Sequence, residues 1–296
     1  MTELRLSYYP DITQYCPADD VRDAVEEFAA ALQKELRDAT GRDYTVPVLP
    51  VASVPDQTRM ASDAQCEIAL MKPSSYIYAR RHNPAVDVGA IALRTIDENL
   101  GDTYFAQIYA HHRIGVSNFD ELRRKCAQPL QQRPIIGFGD SFSTSNFLVN
   151  AALLKDNNIH PLTRFRRIEF FGGHDLVARA VYEGQADVGA GHNGAITDLS
   201  RQDGFNDAQQ VMHCIGRRDI ASDPIALIVS DDSLRGQIEN ALLAVQKLPN
   251  VKNALKTFWG ADGLGPATHE KYKSIEASMR SLEESLGLSE ADVLGI

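Results

Sequence analysis

The stretch Gly137-Phe138-Gly139-Asp140-Ser141-Phe142-Ser143-Thr144-Ser145-Asn146 ends the β-branched run Pro134 to Phe138 and precedes apolar positions at Phe147, Leu148, Ala151 and Leu154. It reads as a strand, a hydroxyl-rich loop and a helix start. Amides in the first turn of a helix lack intrahelical partners and carry partial positive charge. With Ser143, Thr144 and Ser145 adding hydroxyl donors, the turn suits a tetrahedral oxyanion without Lys or Arg. N-capping by Ser143 or Ser145 explains the same residues, so the motif alone leaves both readings open.

The same grammar recurs on either side. Downstream, a strand over Arg167 to Phe170 runs into Gly172-Gly173-His174-Asp175, and apolar positions Leu176, Val177, Ala180 and Val181 form a helix closed at Gly184. A further strand over Ala186 to Ala190 leads to Gly191-His192-Asn193-Gly194. Upstream, Leu4 to Tyr9 reads as a strand, and Asp19 and Asp20 open a helix with apolar Val21, Ala24, Val25, Phe28, Leu32 and Leu36, stopped at Gly41. Strand-like runs follow at Thr45 to Val51, Cys66 to Met71, Val86 to Leu93 and Tyr104 to Ile108, with a helix around Pro55 to Ala64. Strands alternating with helices specify an α/β layer architecture.

A second unit begins near Ile114, and the chain returns through Ile225 to Val229. The tail is helical at Ser233 to Leu248, Val251 to Trp259 and His269 to Leu286, and is expected to pack back onto the first unit. The segmentation is therefore 1–112 for the first lobe, 113–222 for the second, and 223–296 for the return and C-terminal helices. Two α/β lobes joined by two crossings predict a cleft, and ligands bind at domain interfaces and at the C-terminal ends of strands.

A length of 296 residues suits about two domains. The net charge of −10 opposes a phosphate-backbone or anionic-membrane surface, so no nucleic-acid partner is expected and an anion site must be local. The four cysteines, Cys16, Cys66, Cys126 and Cys214, include no CxxC pair and read as free thiols. Residues 1–20 hold no charged-then-apolar export segment. Either Met1 replaces a removed signal peptide and the protein is periplasmic or extracytoplasmic, or it stays in the cytoplasm.

Candidate ligand contacts besides the hydroxyl loop are His174, a hydrogen-bond donor that strengthens when protonated, and His192 with Asn193 at a glycine-flanked turn. Asp223, before Pro224, sits where the chain crosses between lobes; it suits a protonated ligand oxygen or an ammonium group, or else a salt bridge to Arg217 or Arg218. Capping and polar-turn roles account for His174, His192 and Asn193 equally. Nucleophile-elbow, phosphate-loop and zinc-protease motifs are absent, and Gly137-x-Gly139 lacks the third glycine of a dinucleotide turn. A Ser143, His174, Asp223 triad can be written on paper, but a triad is recognised by geometry. No catalytic residue, metal site or cofactor is expected.

Taken in order, Gly139-Asp140-Ser141-Phe142-Ser143-Thr144-Ser145, Gly172-Gly173-His174-Asp175, Gly184-Gln185-Ala186-Asp187-Val188-Gly189-Ala190 and Asp223-Pro224 resemble the solute-binding proteins of phosphonate, phosphite and phosphate ABC transporters. The resemblance extends more weakly to Leu4 and to Trp259 through Thr268. It implies an α/β, two-lobed periplasmic-binding-protein-like (type II) fold, each lobe a mixed sheet flanked by helices, with a hinge and a central cleft that closes over the oxyanion. Matched residue by residue, Ser143, Thr144 and Ser145 fall on the family's hydroxyl cradle, His174 on its oxyanion-contacting histidine and Asp223 on its crossover carboxylate. Tyr104 resembles the first-lobe aromatic that covers the ligand, with Tyr8 and Tyr9 as companions.

Three departures stand out. Val51 to Gln57 lacks a tyrosine common there, Met71-Lys72-Pro73 replaces an aromatic-glycine-proline segment, and Asn146 replaces the usual glycine after the cradle. The implied function is capture of a phosphonate, phosphite or phosphate-type oxyanion by a monomer that delivers it to an ABC permease. The alternative is a cytosolic enzyme or ligand sensor reusing the fold.

Overall fold

The computed structural model describes residues 2–9, 12, 16–96, 98–141 and 143–287; Met1, Pro10 and Phe142, which the readings above include, lie outside that set. Among the described residues no helix is long and apolar enough to cross a membrane. The chain divides into two compact units, Met1–Thr103 with Ala221–Lys273, and Tyr104–Ile220 with Ser274–Ile296.

The first unit is built on a seven-stranded mixed sheet. Its order is Gly263–Gly265, Val86–Ile96, Pro224–Ile228, Ile68–Leu70, Leu6–Tyr8 and Val48–Leu49, with Asn99–Gly101 folded back on Val86–Ile96. Leu6–Tyr8 runs parallel to both its neighbours, whereas Pro224–Ile228 is antiparallel to both of its own. Helix Ala18–Thr40 buries Val21, Ala24, Val25, Phe28, Ala29, Leu32 and Leu36, the stripe predicted from period 3.6 with Ala29 added. It packs on helix Pro249–Trp259, where the rings of Phe28 and Phe258 meet edge to face at 5.9 Å. The expected strand Thr45 to Val51 is reduced to Tyr44–Thr45 and Val48–Leu49, because Pro47 and Pro50 withhold ladder donors.

The second unit holds a five-stranded sheet in the order Arg167–Phe170, Ile135–Phe138, Val188–His192, Thr103–His111 and Met212–Ala221. The first three are mutually parallel, and Thr103–His111 runs antiparallel to Val188–His192. Tyr109, Ile135, Val177, Val181, Ile196 and Met212 belong to its core. Helix Lys273–Leu286 departs from the expected packing of the tail. From Ser274 onward it lies with the second unit, where Lys155 Nζ donates to Ser281 O at 2.6 Å and Arg218 donates to Ser278 Oγ at 3.3 Å.

Candidate functional site

In the second unit, the three parallel strands end at one sheet edge and each releases a candidate segment there. Ile135–Phe138 leads through Gly139 to Ser143 and the helical turn beyond it; Arg167–Phe170 leads to helix His174–Tyr182; Val188–His192 ends on His192 and Asn193. Phe171 N–H donates to Phe138 O at 2.8 Å and Gly172 N–H to Gly139 O at 3.0 Å, which stitches the first two loops side by side. Gly172 takes φ +94°, a left-handed conformation that costs a glycine little. Tyr104, expected in the first lobe, belongs instead to the second unit, because its strand pairs with Val188–His192; it stands at the same edge, two residues before Ala106, the register partner of His192.

Thr144–Leu148 forms a single π-helical turn that opens helix Val149–Asp156, an irregularity often found at functional positions. Ser143, Thr144 and Ser145 are all buried. The capping reading holds for Ser143, whose Oγ accepts from Asn146 N–H at 3.0 Å. Because a hydroxyl can accept and donate together, its O–H remains a donor. Capping and anion binding are therefore compatible at this residue.

Both histidines are oriented by backbone amides. His192 N–H donates to His174 Nδ1 at 3.3 Å, and Gly194 N–H donates to His192 Nδ1 at 2.9 Å. The rings meet edge to face with centroids 4.4 Å apart. A ring that accepts at Nδ1 carries its hydrogen on Nε2, which fixes Nε2–H as the donor side of each ring, in keeping with the donor role read for His174. The same arrangement opposes a triad, which needs Nδ1–H of the histidine to donate to a carboxylate. Gln107 Nε2 donates to His192 O at 2.8 Å, and Asn150 Nδ2 bonds both Ser145 O and Gly191 O, at 2.5 and 3.3 Å. Gln107 and Asn150 were missed from sequence. Asn150 did leave a signal, an amide inside an otherwise apolar helical segment.

The remaining candidates, Tyr8, Tyr9 and Asp223, belong to the first unit. There too they share one sheet edge: Tyr8 pairs with Leu70 and Leu70 pairs with Ile225, and at the same ends of those strands come Tyr9, Met71 and, beyond Pro224, Asp223. Tyr9 is buried, accepts from Trp259 Nε1 at 3.3 Å and has Lys72 Nζ 5.2 Å from its ring centroid. Lys72 thus stands over an aromatic face. Burial pushes the Tyr8 hydroxyl above its ordinary pKa.

Asp223 has an ion-pair partner, but it is Arg94 and not the Arg217 or Arg218 suggested by proximity in sequence. Arg94 donates to Asp223 Oδ2 at 2.5 Å, to Ser222 Oγ at 2.9 Å and to Trp259 O at 3.1 Å. Arg217 lies over the Phe105 ring instead, and Arg218 pairs with Asp156 at 2.6 Å. Stacked His112 and His213 give no metal centre: among the described residues no cluster of His, Cys, Asp or Glu is arranged to hold a metal ion. The four cysteines are unpaired as thiols, and burial pushes Cys66 up to about 11 and Cys126 up to about 12.

A family model described as the periplasmic substrate-binding protein of a phosphonate ABC transporter matches residues 12–272. No curated protein matches the sequence. Among solved structures, PhnD1 from Prochlorococcus marinus in complex with methylphosphonate is 18% identical, with a TM-score of 0.71, covering 96% of this chain and 99% of that one. A Xanthomonas citri protein solved with chloride is 13% identical with a TM-score of 0.74, covering 96% and 100% of the two chains. A binding protein component of an ABC phosphonate transporter from Pseudomonas aeruginosa is 14% identical with a TM-score of 0.62, covering 97% and 96%. These likenesses establish the periplasmic-binding-protein fold.

Proposed function

The chain belongs to the periplasmic substrate-binding family of phosphonate ABC transporters, and from that premise we propose that it captures a phosphonate-class oxyanion on the loop edge of its second unit. The observation that carries the proposal is the convergence there of the Ser143 to Ser145 turn, the first turn of helix His174–Tyr182 and two imidazole rings oriented by backbone amides. Such preorganised donors bind an anion well when water is excluded, because the field they exert is then little screened. His192, Asn193 and Tyr104 border the same edge and enter as further contacts. Tyr8, Tyr9 and Asp223 enter as the residues that the family resemblance assigns to the ligand from the first unit. Delivery to an ABC permease, a monomeric state and an extracytoplasmic location complete the proposal.

Thermal unfolding with phosphate, phosphite, methylphosphonate, 2-aminoethylphosphonate and sulfate tests it, since a ligand at about 100 times its Kd adds ~2.7 kcal/mol to stability. A selective rise with one or more phosphorus oxyanions is the expected result. Thr144→Ala and His174→Ala should each weaken that binding with little change in ligand-free stability. No shift with any oxyanion, in protein freed of carried-over ligand, would overturn the reading.

A further inference from the structure

Strands Ile135–Phe138 and Arg167–Phe170 begin at the end of the second unit's sheet opposite the proposed ligand edge, and there Arg133 joins two turns. Its Nε donates to Gln128 O at 2.8 Å and its Nη1 to Thr163 O at 3.3 Å, while Arg166 N–H donates to Pro134 O at 2.9 Å. Each turn raises a leucine into solvent: Leu130 is 51% and Leu162 36% exposed. Pro129 and Pro161 directly precede the two leucines, and their fixed φ stiffens both turns.

The positive charge of this face is uncompensated. Lys125, Arg133, Arg164 and Arg166 have no carboxylate partner among the described residues, and Arg133 commits its hydrogen bonds to carbonyl oxygens. Neighbouring acids are already taken: Asp120 by Arg123, Glu121 by Arg124 and Glu169 by Arg167. Arg133 and Arg164 lie close enough together for both charges to act on the Cys126 thiol.

Four cations beside two aliphatic tips match an anionic lipid surface, where Lys and Arg meet phosphate headgroups and leucine enters the acyl boundary. A protein interface is typically anchored by exposed aromatic side chains. Here Phe165, the one Phe, Tyr or Trp within 125–133 and 160–166, is buried. The net charge of −10 does not forbid the contact, because acidic surface beyond about 8 Å is largely screened at physiological salt. We infer that Leu130 and Leu162, with Lys125, Arg133, Arg164 and Arg166, dock the second unit on an anionic phospholipid surface. Docking here takes up neither the Ser143 to Ser145 turn nor His174, which follow the other ends of the same strands.

Co-sedimentation of the whole chain with vesicles of phosphatidylcholine, or of equal parts phosphatidylcholine and phosphatidylglycerol, tests the inference. Wild type should pellet with the anionic vesicles only, and less so as salt rises. Arg164→Glu/Arg166→Glu should weaken that binding by about 25-fold or more, at roughly fivefold per cation. Leu130→Ser/Leu162→Ser should weaken it about tenfold and leave its salt dependence as it was. Arg42→Glu/Lys252→Glu, which changes the net charge equally at exposed positions of the first unit, should bind as wild type does.

No pelleting of wild type with anionic vesicles at low salt would overturn the inference and leave this face to an acidic protein segment. Equal pelleting with both kinds of vesicle would overturn it as well. So would equal losses in the two charge-reversed variants, since binding would then follow net charge and not this face. A leucine variant that binds as wild type does would show that no apolar contact with lipid is made, and would overturn it too.

Discussion

At Gly139 the absence of a side chain is a packing requirement, because a Cβ there would sit 3.1 Å from Asn146 Cβ, which cannot swing away as a side-chain tip can. Gly139→Ala should therefore destabilise the second unit by ~1–3 kcal/mol through overpacking. The double variant Gly139→Ala/Asn146→Gly should recover most of that loss in chemical denaturation. Additive losses would show that the two residues do not share the space. The placement of Ser143, Thr144, Ser145 and His174 at one sheet edge was legible because they lie within contiguous strand, loop and helix segments, where local rules apply. Arg94 was not, since it meets Asp223 across 129 residues and only the strand pairing brings them together. The acceptor role of His174 Nδ1 was equally illegible: it depends on the backbone amide of His192, a contact that no side-chain motif encodes.

Elements were readable where one face is apolar and hidden where that contrast fails. Helix Pro73–His82 buries Ser74, Ser75, Tyr76, Ile77, Tyr78 and Ala79 in succession, so it shows no polar face by which period 3.6 could be recognised. Strand Met212–Ala221 is an edge strand with Arg217, Arg218 and Asp219 along it, a composition that blunts edge pairing but reads as loop. Helix Lys273–Leu286 was recognised as a helix, yet its partner was misjudged, because amphipathic periodicity says that a stripe is buried and not against what. Its Ile275, Met279 and Leu282 are each at most 2% exposed. Ending the chain at Lys273 should remove burial worth ~1.5–3 kcal/mol for each of these side chains. Limited proteolysis and amide hydrogen exchange should then report loosening within Tyr104–Ile220 while 1–103 keeps its protection. Equal loosening in both segments would contradict the assignment of this helix to the second unit.

Over the whole molecule, burial acts on weak acids in the same direction in both units. Cys66, in the first unit, is pushed up to about 11 and Cys126, in the second, to about 12, in each case chiefly because a thiolate would be desolvated. Burial also raises Tyr76 and Tyr109 well above the ordinary phenol range. For an acid whose folded pKa lies above its unfolded value, the folded state keeps a proton that the unfolded state gives up. Stability is then fully present below the ordinary thiol value of 9.0 and drains away as pH rises toward about 11. Two pH units of separation correspond to ~2–3 kcal/mol for Cys66. The thermal midpoint should therefore hold steady up to about pH 8.5 and then fall steeply, a limb set by buried thiols and phenols. Cys66→Ala should flatten that limb for the transition that includes the first unit, and Cys126→Ala for the one that includes the second, whatever each does to stability at neutral pH. An alkaline limb of unchanged slope in both variants would assign the loss to other groups, and would mean that these two thiols ionise in the folded protein as readily as in the unfolded chain.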